Sequence, residues 1–465
     1  MYQVPQHIDH NKIFIVQRSE IEGRLDAQYY KMSIHIPNSV KLSSFASVKG
    51  GKRIPKGYSY SEEQTPYYYL RVADMDNDNE LSLESLKFID EEVFNKLKRY
   101  EIKKNELAIS IAGTIGKICY LSGIPEGCRV VLTENCAKIV ISDENVLNAK
   151  YLEILFKMPF IQKQLERNYI QTTIPKLGLD KITSLNFPQI PTLEFQKKVV
   201  EYYNSAYKQK LKYESDAQQL LNSIDAYILN ELGITLPEIK TDLKSRMFLV
   251  NRSELEERLD PKFSKDFSYL KNLTCKYPFV TLNNIVLNNG QYGANERAQE
   301  YEDGSVRFIR ITDIDELGCL KSDGKKTAAN IENCYRLNFN DVLFARSGSV
   351  GKCYIHKEMS APAIFAGYLI RFLINDNLVN ADYLFYYCNS KLHNYWVNTI
   401  QRPAVQANIN AQEFRSMPIP LPPLGKQQEI ANQIYAIRQQ AKQLQEEGKS
   451  ILENAKKEVE QMIIG

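Results

Sequence analysis

The sequence predicts a mixed α/β protein: two homologous domains separated by two long antiparallel coiled-coil helices, with pseudo-two-fold symmetry. Three observations lead there. Most of the 465 residues take part in an internal duplication, each copy closes on a proline-free heptad run, and strand-like and helical runs alternate within each copy.

The duplication begins where residues Phe14 to Asp26 return as Phe248 to Asp260, nine of the thirteen positions identical. Tyr69 to Asp74 then matches Phe308 to Asp313, sharing Arg-x-x-Asp, and Gly113 to Lys117 matches Gly348 to Lys352, sharing Gly-x-x-Gly-Lys. Asn148 to Leu152 matches Asn380 to Leu384, and Pro191 to Gln196 matches Pro422 to Gln427. Order is kept, and the offset stays between 231 and 239 residues. A period that long indicates tandem duplication of a domain with an appendage, not a solenoid.

The appendage reads as a helix. Seam positions Val199, Tyr203, Ala206, Lys210, Tyr213, Ala217, Leu220, Ile224 and Tyr227 alternate in steps of four and three. The second copy offers Ile430, Ile434, Ile437, Ala441, Leu444, Gly448, Ile451, Ala455 and Glu458. Four heptads of this alternation indicate a coiled-coil seam, weakened at Lys210, Gly448 and Glu458. Helices over 194–232 and 425–463, about 38 residues each, would span roughly 57 Å. The first carries the chain away from one domain; the second, running antiparallel, returns it, giving a dumbbell. The boundaries follow as 1–190 for the first domain, 191–232 for its helix, 233–247 for a linker, 248–421 for the second domain and 422–465 for the last helix.

Within the domains, Glu106 to Ile111 and Asp341 to Ala345 read as buried strands entering a glycine turn. Arg129 to Thr133 and Ala137 to Ile141 also read as strands, and Tyr383 to Val397 as a helix. The strand order stays open.

Composition limits the function. Hydrophobic residues at 43% and charged residues at 25% describe an ordinary globular chain. No apolar run reaches the roughly 18 residues of a membrane span, and the N-terminus has no signal-peptide pattern, so a cytoplasmic protein without a membrane partner is expected. The eight cysteines form no C-x-x-C pair, which argues against a zinc knuckle or redox motif. Net charge is only +3, but Lys31, Lys41, Lys49, Lys52, Arg53 and Lys56 cluster between Ala27 and Ser61 without an acid. Such a patch suits nucleic acid or is simply a solvated face.

Catalytic motifs are largely missing. Gly-x-x-Gly-Lys is half of a phosphate-binding loop, but Ile118 and Cys353 follow the lysines where Ser or Thr is needed. The turn either offers N–H groups and a lysine to a DNA phosphate or is purely structural. His356 and Glu358 fit His-x-Glu, but the cysteine partner motif of a zinc deaminase is absent. Asp74 with Asp76, and Asp313 with Asp315, read as solvated or salt-bridged turns rather than metal sites. No catalytic residue, resident cofactor or metal is assigned.

Nucleic-acid chemistry remains. Arg and Lys suit guanine, while Asn and Gln pair with adenine. Lys52, Arg53, Lys56 and Tyr58 cluster in a loop of the first copy that diverges from Gln291, Tyr292, Asn295 and Arg297 in the second. Lys117, Arg346, Ser349 and Lys352 flank the glycine turns, and Arg402 and Gln406 lie in a segment free of acids. These are the candidate DNA contacts.

The layout resembles the specificity subunits of type I restriction–modification systems. The resemblance rests on Pro418 to Gln427 followed by the long helix, and on the glycine turns ending at Lys117 and Lys352. The first proline signal, Phe187 to Gln196, departs from the pattern. The resemblance implies two target-recognition domains, each reading half of a split site in double-stranded DNA. It implies helices that set the spacing and dock methyltransferase subunits, two of them, with restriction subunits joining the complex. S-adenosylmethionine, ATP and Mg would then sit on the partners, and this chain would not be an enzyme. The alternatives are a specificity subunit feeding a fused nuclease–methyltransferase, and a coiled-coil scaffold that binds protein. The family's recognition residues vary too much to be transferred, so the candidate contacts rest on the loops alone.

Overall fold

The computed structural model describes residues 13–16, 18, 21, 30, 36–75, 81, 85–121, 124–169, 176–236, 249, 252, 260–401 and 407–465. Most of the first repeat motif, with Asp76, Arg402 and Gln406, lies outside them. The chain divides into two compact units, 1–212 with 447–465, and 213–446.

In the first unit, β1 (Val40–Lys41), β2 (Ala46–Gly50), β3 (Tyr67–Leu70) and β4 (Lys87–Phe88) precede α1 (Glu91–Leu97). Then come β5 (Glu101–Ile102), β6 (Leu107–Ser110), β7 (Ile118–Tyr120), β8 (Arg129–Leu132) and β9 (Cys136–Ile141). Helices α2 (Ala149–Lys157), α3 (Pro159–Tyr169) and α4 (Leu179–Thr183) lead to β10 (Asn186–Phe187) and the long α5 (Leu193–Leu232). β6, apolar except for Ser110, is buried at every position, as a central strand requires. It lies within an antiparallel sheet of order β2-β9-β6-β7, while β3 and β8 run parallel in a second sheet. Tyr151, Leu155, Phe156 and Ile161 from α2 and α3 pack with Leu107, Ile109 and Ile139 of the first sheet.

The second unit repeats the plan after α6 (Pro261–Lys271), with β11 (Phe279–Thr281), β12 (Gln291–Tyr292), β13 (Ala298–Glu300), β14 (Arg307–Ile309) and β15 (Lys326–Ala328). β16 (Val342–Ala345), β17 (Cys353–Ile355), β18 (Ala363–Phe365) and β19 (Leu369–Phe372) follow. Helices α7 (Ala381–Tyr387), α8 (Lys391–Ile400) and α9 (Ala411–Arg415), then β20 (Pro418–Pro420), lead to α10 (Leu424–Ile464). The order β12-β19-β16-β17 matches the first unit's sheet, and β14 pairs parallel with β18 as β3 does with β8. The single helix expected over 383–397 is broken: the Ser390 side chain accepts the His393 N–H and starts a new helix.

α5 and α10 are 40 and 41 residues long. In the first unit Tyr202, near the start of α5, donates its hydroxyl to Glu458, near the end of α10. In the second, Lys426 at the start of α10 meets Glu231 at the end of α5 at 2.7 Å. Each seam position of α5 is buried or half-buried. Towards the end of α10 the seam departs from expectation: Leu452, Ala455 and Val459 are buried, whereas Glu458 is exposed. A 3.6-residue helix drifts against a 3.5-residue repeat, and here two apolar side chains capture the drift.

The repeated glutamines explain the helix-entry signal. Gln196, fully buried, accepts the Asn148 N–H at 2.8 Å and donates to the Val146 and Pro191 carbonyls at 2.8 Å. Gln427 does the same to Asn380 (2.7 Å), Leu378 (3.2 Å) and Pro422 (2.8 Å). Each staple ties the start of a long helix to the cap of α2 or α7. Among the described residues no helix is long and apolar enough to cross a membrane, and no group of three or more His, Cys, Asp or Glu could hold a metal ion.

Candidate nucleic-acid interface

Two repeated turns frame the candidate surface in each domain. After β3, Arg71 donates from Nη2 to Asp74 Oδ1 at 2.6 Å and to the Ser85 carbonyl at 2.9 Å, and its own N–H is accepted by Asp74 Oδ2. After β14, Arg310 makes the same set with Asp313 and the Gly324 carbonyl. The buried Asp74 and Asp313 are therefore salt-bridged caps, as the sequence reading favoured. Asp315 instead accepts the Leu317 and Cys319 N–H groups.

The glycine turns lock onto these caps. Lys117 Nζ donates to the Met75 carbonyl at 2.7 Å, and Lys352 Nζ to the Ile314 carbonyl at 3.3 Å and to Glu316 at 2.6 Å. Both ammonium groups thus point into their own domain. The second glycine of each turn has a positive φ, +86° at Gly116 and +87° at Gly351, which a side chain would strain. Its carbonyl is held by a helix: Gln162 Nε2 donates to Gly116 at 3.2 Å, and His393 Nε2 to Gly351 at 2.9 Å. Full burial lowers the His393 pKa to about 4, so a neutral ring donates this bond at neutral pH.

Above the turns, a glycine lets the divergent loop cross the ends of the parallel strands. A Cβ at Gly51 would sit 2.1 Å from the Thr133 carbonyl oxygen, and one at Gly293 2.4 Å from the Ala366 oxygen. Lys52 and Ala294 then donate their N–H groups to Leu132 and Phe365, both at 2.9 Å. These pairings make Arg53 equivalent to Asn295, and Glu134 equivalent to Gly367.

The contents of that shared position differ. Arg53 Nε donates to Glu134 Oε1 at 2.6 Å while the arginine side chain stays 80% exposed. The hydrogen bond to Glu134 raises the Arg53 pKa. Partial burial pushes the Glu134 carboxyl up, but hydrogen bonds from Thr133 and Arg53 outweigh it and hold the group below its usual range. In the second domain Gly367 has no side chain, and Asn295 Oδ1 lies 2.1 Å from where its Cβ would be. A cavity of about 680 Å³ opens there, lined by Asn295, Arg310, Thr312, Ser349, Gly367 and Tyr368.

The other candidates scatter. Lys56 is exposed beside Gly57. Tyr58 donates to Glu92 and lies under Lys96; that hydrogen bond holds Glu92 below its usual range. Arg346 stacks over Tyr292 at 4.9 Å and reaches Asn408 at 3.3 Å, forming an exposed cluster. Arg297 is exposed, its carbonyl accepting the Ala329 N–H. Gln291 turns inward, accepting from the buried Arg371 and donating to the Cys334 carbonyl. The sequence reading missed Glu134 and Tyr368, which carry no repeat signal, Thr312, which differs from its counterpart Ala73 within the repeated Arg-x-x-Asp segment, and the turn anchors Gln162 and His393. Arg310 was signalled, as part of the repeated Arg-x-x-Asp.

A family model described as the type I restriction modification DNA specificity domain matches residues 38–224 and again 276–453. The specificity subunit of the type I restriction enzyme EcoBI of Escherichia coli is 27% identical over 164 residues, 35% of this chain and 32% of that one. The match thus spans about a third of that relative's length. A chain from a structure of type I restriction–modification complex assembly aligns with a TM-score of 0.49 at 14% identity, over 93% of this chain and 98% of its own. The S subunit of the type I system of M. genitalium aligns at 0.41 and 13% identity, over 93% and 97%.

Proposed function

The chain belongs to the type I restriction–modification DNA specificity family, and from that premise we propose that it is the subunit that reads DNA sequence for a larger complex. Each domain reads one half of a bipartite site in double-stranded DNA. α5 and α10 set the number of unread base pairs between the halves and dock two methyltransferase subunits, which restriction subunits join. The chemistry, with S-adenosylmethionine, ATP and Mg, belongs to those partners; this chain turns nothing over and acts in the cytoplasm, where they meet the DNA.

One observation carries the reading. The same scaffold occurs twice, with its staples repeated, yet the exposed position over the strand ends holds Arg53 and Glu134 in one copy and Asn295 and Gly367 in the other. Selection for stability alone gives no reason to diverge at a position so exposed and so well supported. Two readers of different bases would diverge there.

Replacing residues 31–188 with the first domain of another family member tests it. Sequencing the genome methylated by the chimeric complex should show one half of the native motif changed and the other kept. A change in both halves, or in neither, overturns the modular reading.

A further inference from the structure

We infer that the position over the parallel-strand ends is the base-reading position of each domain: Arg53 reads a guanine under the control of Glu134, and Asn295 reads an adenine beside the cavity that Gly367 leaves open. The inference rests on the proposed DNA-reading function and assigns it to particular atoms.

Glu134 takes only the Nε of Arg53. The two terminal nitrogens have no partner among the described residues, and the side chain is 80% exposed. A guanidinium held at Nε is fixed in its plane, so its outer fork keeps one direction. That fork matches the O6 and N7 acceptors at the guanine edge, and the ordering cost is met before binding. A phosphate contact needs no such clamp, since it carries no base information.

The second domain lacks the clamp. A carboxylate at residue 367 would collide with Asn295, whose Oδ1 already occupies the space of a Cβ there. Asn295 presents one donor and one acceptor at the mouth of the cavity, the pairing that adenine N7 and N6 need. Thr312, Ser349 and Tyr368 line the same cavity and leave room for a neighbouring group in the groove. Glu134 and Gly367 are thus positioning residues for different readers on one scaffold.

The test uses the full chain with its methyltransferase partner and selection from a random-sequence duplex library. Arg53→Lys keeps the charge but loses the fork. It should cut the guanine preference at one base of the first half-site by about 10-fold or more, while the retained charge keeps the salt slope of binding. Glu134→Gln, which keeps an acceptor for Nε, should lose less of that preference than Glu134→Ala. Gly367→Ala, which displaces Asn295 without altering it, should lower adenine preference at one base of the other half-site, as Asn295→Ala should. Uniform weakening over all sequences in Arg53→Ala, with a salt slope smaller by about one phosphate and a silent Arg53→Lys, would make Arg53 a backbone contact and overturn the inference. So would unchanged preferences in both Gly367→Ala and Asn295→Ala. A wild-type complex that shows no bipartite preference would instead bring down the proposed function itself, before any variant is compared.

Discussion

The two glycine turns meet the same structural demand with different side chains. Gln162 holds the Gly116 carbonyl and His393 the Gly351 carbonyl, each from the helix behind its turn. By contrast the Arg-x-x-Asp caps and the buried glutamine staples are repeated almost atom for atom. The difference separates two kinds of constraint. Where one side chain must serve three buried backbone groups at once, only one residue type fits, and it recurs. Where a single carbonyl needs one donor, any donor of suitable reach will do, and the copies drift apart. On the exposed surface even that demand vanishes, and where one copy has Arg53 the other has Asn295.

The largest expected effect probes the staples. Removing Gln427 leaves the Asn380 N–H and the Leu378 and Pro422 carbonyls without their partner, and should cost about 3 kcal/mol or more. Trp396, the single tryptophan, is buried in the second unit, so its fluorescence follows that domain during denaturant unfolding. Gln427→Ala should shift the tryptophan transition, whereas Gln196→Ala should shift the circular-dichroism transition of the first domain by a similar amount. A loss below about 1 kcal/mol in either would break the equivalence of the copies.

Acid should separate the turns next. The His393 pKa is depressed to about 4 in the folded chain against about 6.5 unfolded, so between those values the unfolded state binds more protons. Stability contributed by the neutral ring is intact above about pH 6.5 and falls as pH drops towards 4, by up to about 3 kcal/mol. His393→Gln, which places in the second turn the residue type that serves the first, should flatten that slope in the tryptophan transition. An equal slope in the variant would mean that other groups cause the acid sensitivity.

The smallest effect concerns the lysines. Lys117→Met and Lys352→Met each remove a charged donor from a backbone carbonyl and should cost about 1–2 kcal/mol. The ion pair with the 89% exposed Glu316 adds little to Lys352. DNA affinity should keep its salt slope. A slope smaller by about one phosphate at unchanged stability would show that the ammonium groups leave their carbonyls for DNA, and the two turns would then be DNA-contacting after all.

Much of the fold was legible because its signals are local or periodic. Heptad spacing marks α5 and α10 to within a residue or two, and a run of three or four apolar residues marks β6 and β16. The strand order was not legible, since β2, β6 and β9 come together across long stretches of chain. The candidate site divides the same way. Arg53 and Asn295 could be proposed from residue type in divergent loops. Glu134 could not, because it lies 81 residues from the arginine it holds and carries no motif. Gln291, of a suitable type in the right loop, faces the buried Arg371 instead.

What the sequence determined by itself, then, is the duplication, the long helices and the pool of side chains available at the divergent loops. These depend on residue identity and spacing along one stretch of chain. Only the tertiary structure decided which polar groups point inward and which stay exposed. Lys117, Lys352 and Gln291 turn to carbonyls or to an arginine because strand pairing brings those partners within hydrogen-bond reach, and a buried polar group left unpaired costs more than the exposure it gives up. Arg53 and Asn295 stay outward because a glycine two residues earlier presses the backbone against the strand ends, leaving their side chains no inward path.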